Sequence, residues 1–247
     1  NQRVPSNYLL YYPRTFDEMT TSTALFLGLL LGIRHAMDTD HIVAMSTFIS
    51  RGVGLPRAIF FGLIWGIGHI VTILIVGFVV LVLKLTIPAT LALTMEITVG
   101  ILLVVLGAPL VWQFIKSRPH LHMHQHENAS HLHFHAHHDS PNHIHAHLRR
   151  PFLVGMIHGL AGSGALTILV LNTTSSLKEG MGFLLLFGIG SIFSMLVFSG
   201  LISLPLQLSK KLSFQINHWI QATAGLVSTI LGLFIIWQVI FNSGYFI

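Results

Sequence analysis

The 247-residue chain has no cysteine and very little charge. The absence of cysteine excludes a disulfide framework and any thiolate metal site. Only 9% of the residues are charged, whereas 53% are hydrophobic. A soluble domain is typically about a quarter charged. This deficit indicates that most of the chain lies in a lipid bilayer.

Six apolar runs are long enough to cross a bilayer. Backbone polar groups in hydrocarbon must be hydrogen-bonded within their own segment, so we expect helices rather than strands. The sequence therefore predicts an all-α integral membrane protein with six transmembrane helices. The predicted spans are roughly Ala24–Ser50, Ala58–Leu83, Pro88–Ile115, Phe152–Leu171, Met181–Leu206 and Phe214–Phe241.

The connections between these spans differ in their content of lysine and arginine. One side carries eight of these residues (Arg51, Arg57, Lys116, Arg118, Arg149, Arg150, Lys210 and Lys211), and the other carries four (Arg3, Arg14, Lys84 and Lys178). This bias places the first side in the cytoplasm and both termini outside, in the cell membrane. The basic residues therefore indicate topology, and we expect no nucleic-acid partner.

The two halves of the chain resemble each other. "GIRHAMDTDHIV" (Gly32–Val43) aligns with "GMIHGLAGSGAL" (Gly155–Leu166), and "GIGH" (Gly66–His69) aligns with "GIGS" (Gly188–Ser191). Gly100, Gly107, Trp112 and Gln113 fall on Gly225, Gly232, Trp237 and Gln238. Because each copy has an odd number of spans, the second copy must enter the membrane from the opposite side to the first. We therefore expect two inverted repeats, an arrangement typical of transporters and also found in channels.

These patterns predict four segments. They are an extracytoplasmic N-terminal segment (1–23), a first three-helix repeat (24–116), a cytoplasmic histidine-rich loop (117–150) and a second three-helix repeat (151–247). The loop holds 12 histidines between His120 and His147, mostly in H-x-H alternation. Such a tract cannot bury a core, and we expect a mobile segment that captures metal at the cytoplasmic mouth or serves only as a solvated linker. We expect transport to survive its deletion.

The first predicted span contains the unusual stretch "RHAMDTDH". Arg34, Asp38 and Asp40 would together cost on the order of 8–10 kcal/mol at mid-bilayer if they were unpaired. In a helix, His35, Asp38 and His41 would share one stripe, and Arg34 would lie close enough to Asp38 to pair with it. Asp40 would point elsewhere unless the helix is broken here, as transporter helices often are.

The charges of this stretch suggest that it binds a cation. Arg34 with two ionised aspartates sums to −1, beside two histidines that offer nitrogen lone pairs. Imidazole and carboxylate without thiolate suit Ni, Co, Zn, Cu or Fe ions. The alternative is an internal ion-pair network in which the histidines are merely hydrogen-bonded.

"RHAMDTDHI" resembles the second-helix signature of the nickel/cobalt transporter family, R-H-A-x-D-A-D-H-I, with Thr39 in place of the usual alanine. The resemblance implies uptake of Ni²⁺ or Co²⁺ as the transported substrate, with no cofactor and no enzymatic activity. It implies metal recognition by His35, Asp38, Asp40 and His41, and "GIGHIVTI" is similar to the family's L-G-H-S motif and adds His69. The G-x-D-T-A-T-E-like stretch is missing, and the second half looks like the shorter, urease-accessory-type branch.

The repeat adds a candidate ligand. His35 corresponds to His158, while the other charged positions of the motif have no charged counterpart in the second half. Inverted copies meet across a twofold axis, so we hypothesise one metal site, with His158 facing His35, His41, His69 and one of the two aspartates. The alternative is that His158 serves in packing or gating. A cytoplasmic metallochaperone is a further candidate partner.

Two other functions fit parts of the sequence. Metal efflux through the same site is one, because residue types do not fix the direction of transport. The other is an intramembrane serine protease of rhomboid type, with Ser163 and His218 as a dyad. The protease interpretation leaves the duplication and the charged motif unexplained.

Overall fold

The computed structural model describes residues 21–50, 53–85, 87–116, 121–126, 129–134, 146–173, 176–212 and 214–242. Within these ranges the chain forms seven α-helices and one two-stranded hairpin. The helices are α1 (Thr21–His35), α2 (Thr39–Ser50), α3 (Leu55–Leu83), α4 (Ala89–Lys116), α5 (Ala146–Thr173), α6 (Leu177–Leu212) and α7 (Phe214–Asn242), and the strands are β1 (Leu121–His126) and β2 (Ala129–Phe134).

Four segments of the described chain are long and apolar enough to cross a membrane, and a shorter apolar helix covers Ser22–His35. The four segments are Leu55–Leu83, Ala89–Lys116, Leu177–Ser209 and Gln215–Phe241. Many large apolar side chains on these helices are exposed, among them Phe78, Val105, Phe193 and Leu233. Water would not tolerate so large an apolar surface on a soluble protein, but lipid does. The chain is a helical, multi-pass membrane protein.

The first predicted span is not one helix. α1 ends at His35, and α2 begins at Thr39. The N–H groups of Met37 and Asp38 donate to carbonyls only three residues back, at Arg34 and His35, and regular spacing resumes when the N–H of Ile42 donates to the carbonyl of Asp38. The break places the polar motif at the C-terminal end of one helix and the N-terminal end of the next.

The contacts between the two halves are reciprocal. Gly155 on α5 lies so close to α3 that an added Cβ would overlap the carbonyl oxygen of Trp65. Their repeat counterparts, Gly32 on α1 and Phe187 on α6, meet in the same way. Between α4 and α7 the same relation pairs Gly100 with Gly232 and Gly107 with Gly225. The sequence duplication therefore corresponds to duplicated packing, with glycines allowing close backbone approach.

Part of the histidine-rich loop forms the antiparallel β1–β2 hairpin. The register pairs His122 with His133 and His124 with His131. Alternation with a period of two suits a strand, in which successive residues lie on opposite faces. The sequence analysis did not predict this hairpin, because it treated the tract only as a composition.

Candidate metal centre

Histidines from four helices meet between the two halves of the molecule. The chain has 17 histidines, of which 12 belong to the tract. Of the other five, four come together: His35 at the end of α1, His41 on α2, His69 on α3 and His158 on α5. A random arrangement of packed helices would not collect these residues in one place.

The four rings form a compact group. The centroid of the His41 ring lies 4.6 Å from that of His35, 5.3 Å from that of His69 and 4.8 Å from that of His158. His41, His69 and His158 are almost completely buried. Histidine is rarely buried so deeply, and three buried imidazoles in contact need a physical explanation.

Ligand atoms of the group fall into two overlapping sets. One set contains His35, His41 and His69, and the other contains Asp40, His41 and His158. Within each set, one ligand atom per residue lies within 4.8 Å of the others. These are nitrogen and carboxylate donors, the kinds that divalent transition metals accept.

Asp38 and Arg34 lie at the rim rather than inside the group. An Arg34 guanidinium nitrogen is 2.8 Å from Asp38 Oδ1, and these side chains are 71% and 41% exposed. The other oxygen of Asp38 lies 2.9 Å from His35 Nδ1. Because an ionised carboxylate only accepts hydrogen bonds, His35 Nδ1 donates here, which leaves Nε2 as a lone-pair donor. Metal-binding histidines are commonly oriented in this way.

Asp40, two residues on, faces the histidines instead. Its Oδ1 lies 3.3 Å from His41 Nδ1, and its Oδ2 lies 3.6 Å from His158 Nε2. Asp40 belongs to the first turn of α2, whereas Asp38 lies within the break between α1 and α2. The helix break thus sends the two aspartates in different directions.

Several ring nitrogens of the group have no hydrogen-bond partner within the described part of the chain. They include Nε2 of His35, Nε2 of His41 and both nitrogens of His69, all of which are buried. A buried polar atom without a partner costs about 1–3 kcal/mol. Such a concentration of orphaned lone pairs is typical of a site built for a ligand rather than for packing.

Comparison with known proteins decides the family. A family model described as high-affinity nickel-transport protein (NicO) matches residues 22–240. The chain belongs to the NicO family. It is therefore a transporter of metal ions across a membrane and not an enzyme.

A curated relative agrees with this assignment. The NicO chain is 34% identical over 242 residues to the urease accessory protein UreH of Bacillus sp. (strain TB-90), covering 93% of the chain and 97% of the relative. No solved structure matches the chain. The resemblance drawn from "RHAMDTDHI" and from the second half is confirmed by both protein comparisons.

Family membership removes the serine-protease interpretation. In the NicO chain, His218 stacks on Phe114 with ring centroids 5.0 Å apart, on α7 rather than among the four grouped histidines. The side chain of Ser163, the other member of the hypothetical dyad, lies outside the described residues. A transporter family needs no such dyad.

Two aromatic residues beside the group were missed by the sequence analysis. The Trp65 ring lies 5.4 Å from that of His158, and the Phe187 ring lies 5.3 Å from that of His35. Both aromatic side chains are buried. Extending the "GIGH" and "GIGS" alignment by one residue would have found them, since Trp65 and Phe187 precede those motifs.

Proposed function

We propose that this chain takes Ni²⁺ or Co²⁺ into the cell through the grouped residues His35, Asp40, His41, His69 and His158. The observation that carries this proposal is the meeting of four histidines from separate helices, three of them almost completely buried and several with unpaired ring nitrogens. The family transports metal, and the grouped residues supply nitrogen and oxygen ligands for a metal ion between the two halves of the chain.

The broken first span supports the same conclusion. The C-terminal end of α1 presents the negative end of a helix dipole, which favours a cation beside His35. Discontinuous helices of this kind form ion sites in transporters. Asp38 then acts from the rim by holding His35, and Arg34 pairs with Asp38.

For the membrane topology we propose six crossings arranged as two inverted three-helix repeats. In this arrangement α1 and α2 together make the first crossing, and α5 makes the fourth. The reciprocal contacts of Gly32 with Phe187 and of Gly155 with Trp65 support a twofold relation between the halves. Two antiparallel sets of three helices would bring His35 and His158 together from opposite halves.

For orientation we propose that the histidine-rich loop and residues 51–57 face the cytoplasm, with both termini outside. The bias of lysine and arginine toward that side supports this assignment. The histidines of the loop would then capture or buffer metal that has crossed the membrane and pass it to a cytoplasmic metallochaperone. The direction of transport, inward rather than outward, rests on the resemblance of "RHAMDTDHI" to a family of uptake proteins.

The test is metal accumulation in cells that lack other high-affinity uptake of these ions. Cells producing the unchanged chain should accumulate Ni²⁺ or Co²⁺, and His35→Ala should reduce this to the level of cells without the protein. His218→Ala, which removes a histidine outside the group, is the matched control and should retain uptake. Running Ni, Co, Zn and Mn in parallel fixes the metal preference. Full accumulation by His35→Ala, or reduced cellular metal with the unchanged chain, would contradict uptake through this site.

A further inference from the structure

The two sets of ligand atoms differ in composition but share one residue. His41 belongs to both, whereas His35 and His69 belong only to the first and Asp40 and His158 only to the second. His41 has two ring nitrogens on different edges of its ring. Nδ1 lies 3.3 Å from Asp40 Oδ1, and Nε2 is buried without a hydrogen-bond partner in the described chain. One residue can therefore serve an ion on either side of its ring.

The two sets also differ in charge. The first offers three imidazoles and no formal charge, while the second replaces one imidazole with the carboxylate of Asp40. Both ligand types suit the same divalent metals, so neither set excludes an ion that the other accepts. Their proximity allows an ion to change one ligand at a time rather than leave the protein between positions.

The surroundings mark the two sets as opposite ends of the group. Phe187 of α6 packs beside His35 at one end, and Trp65 of α3 packs beside His158 at the other. His35 corresponds to His158 in the repeat, and Phe187 corresponds to Trp65. Each half of the molecule thus contributes one of these histidines and the aromatic neighbour of the other, and the His41 ring lies beside both histidines.

We propose that the ion occupies two successive positions that share His41. The first is formed by His35, His41 and His69, and the second by Asp40, His41 and His158. Transport then includes a transfer of the ion across the His41 ring, from the Phe187 side to the Trp65 side or the reverse. Because a neutral imidazole has one lone pair and one N–H, the ring proton of His41 passes to the nitrogen that the ion leaves. This inference rests on the proposed function, because it divides the same group into two steps.

The experiment measures Ni²⁺ binding by the purified full chain. All 12 histidines of the tract are replaced by asparagine, so that the tract does not bind the probe. In this tract-substituted chain, His158→Gln confines the ion to the first position and His69→Gln confines it to the second. X-ray absorption should then count three imidazole ligands in the His158→Gln chain and two in the His69→Gln chain.

A second substitution provides the decisive comparison. Adding His35→Gln should weaken Ni²⁺ binding about tenfold or more in the His158→Gln chain, where His35 is a ligand. In the His69→Gln chain the same change should weaken binding much less, because His35 does not belong to the second position. His218→Gln is the matched control, and elution as a single species in detergent verifies folding. A glutamine variant that does not fold is replaced by asparagine at the same position.

Each outcome bears on a different statement. Equal weakening by His35→Gln in both chains, or loss of Ni²⁺ binding in either folded single variant, would show one undivided site and overturn the two positions while leaving the proposed function in place. Ni²⁺ binding that none of these substitutions changes, His41→Gln included, would overturn the proposed function itself.

Discussion

At the scale of single residues, Asp38 and Asp40 have different tasks although only one residue separates them. Asp38 lies at the rim, where it pairs with Arg34 and accepts a hydrogen bond from His35. Asp40 lies against His41 and His158. Asp38 holds His35 in one orientation, whereas Asp40 places its own carboxylate oxygens among the grouped histidines.

Replacing Asp38 separates these tasks. In the tract-substituted His158→Gln chain, where the ion is confined to the position that contains His35, Asp38→Ala should weaken Ni²⁺ binding about 10- to 100-fold, because His35 loses the partner that orients its ring. Its stability should change by no more than about 1 kcal/mol, since exposed ion pairs contribute little. Titration with Ni²⁺ and thermal unfolding in detergent measure the two effects. Glu96→Ala, which removes an exposed carboxylate on α4, is the control, and equal affinities in the two variants would contradict the orienting role.

The residues of the group could be named from the sequence, but not their arrangement. His35, Asp38, Asp40 and His41 stand in one motif, and the repeat alignment pointed to His158. The division between the two aspartates depends on where the helix breaks. Charge and spacing alone do not locate the break, so Asp38 and Asp40 were equal candidates for ligands in the sequence analysis.

At the scale of the helices, close backbone contact between α5 and α3 brings Gly159, the neighbour of His158, against the backbone of His69. A Cβ at Gly155 would overlap the carbonyl oxygen of Trp65, and one at Gly159 would approach the carbonyl oxygen of His69. These contacts hold α3 of the first half close enough to α5 of the second half for His69 and His158 to belong to the same group of histidines. The matching contact of Gly32 with Phe187 joins α1 to α6 in the same way and places the Phe187 ring beside that of His35.

Gly155→Ala tests this packing. The added methyl group must push α5 away from α3, which should cost about 1–3 kcal/mol and lower the melting temperature in detergent. Gly182→Ala is the matched control, because its Cβ would meet only the end of the Leu25 side chain, 3.1 Å away and able to move. Equal melting temperatures for the two variants would show that the close approach at Gly155 is not needed.

The helices themselves were largely predictable. Long apolar runs gave the positions of α3, α4, α6 and α7 to within a few residues, because hydrocarbon leaves the backbone few other choices. The break after His35 was not located. Asp38, Thr39 and Asp40 are residues that favour helix starts, and Asp40 occupies the first turn of α2, so a weak local signal was present.

At the scale of the whole molecule, inverted halves require an odd number of crossings per half, and we propose three. Lys84, after α3, and Lys178, at the start of α6, should then lie on one side. The histidine-rich loop should lie on the other. The family assignment and the long apolar helices give a multi-pass membrane protein, and the sides on which Lys84, Lys178 and the loop lie test the number of crossings.

The absence of native cysteine makes that measurement direct. Lys84→Cys and Lys178→Cys should each react with a membrane-impermeant thiol reagent added outside intact cells, whereas Ser117→Cys should react only after the membrane is opened. The unchanged chain is the control, because it has no thiol to label. Labelling of Lys84→Cys and Lys178→Cys from opposite sides would rule out three crossings per half.

The family and the membrane location of the whole molecule could be recognised from sequence, since composition and one motif sufficed. The way the halves meet could be expected only in outline. Reciprocal contacts such as Gly100 with Gly232 arise from the three-dimensional packing of distant segments, which an internal alignment suggests but does not specify.

The most direct test of the account is the ligation of Ni²⁺ bound to the tract-substituted full chain, read by X-ray absorption. The account predicts a bound ion with imidazole ligands, and loss of that ion when His41, the residue common to both ligand sets, is changed to glutamine. A bound ion without imidazole ligands, or one that His41→Gln leaves unchanged, would contradict it.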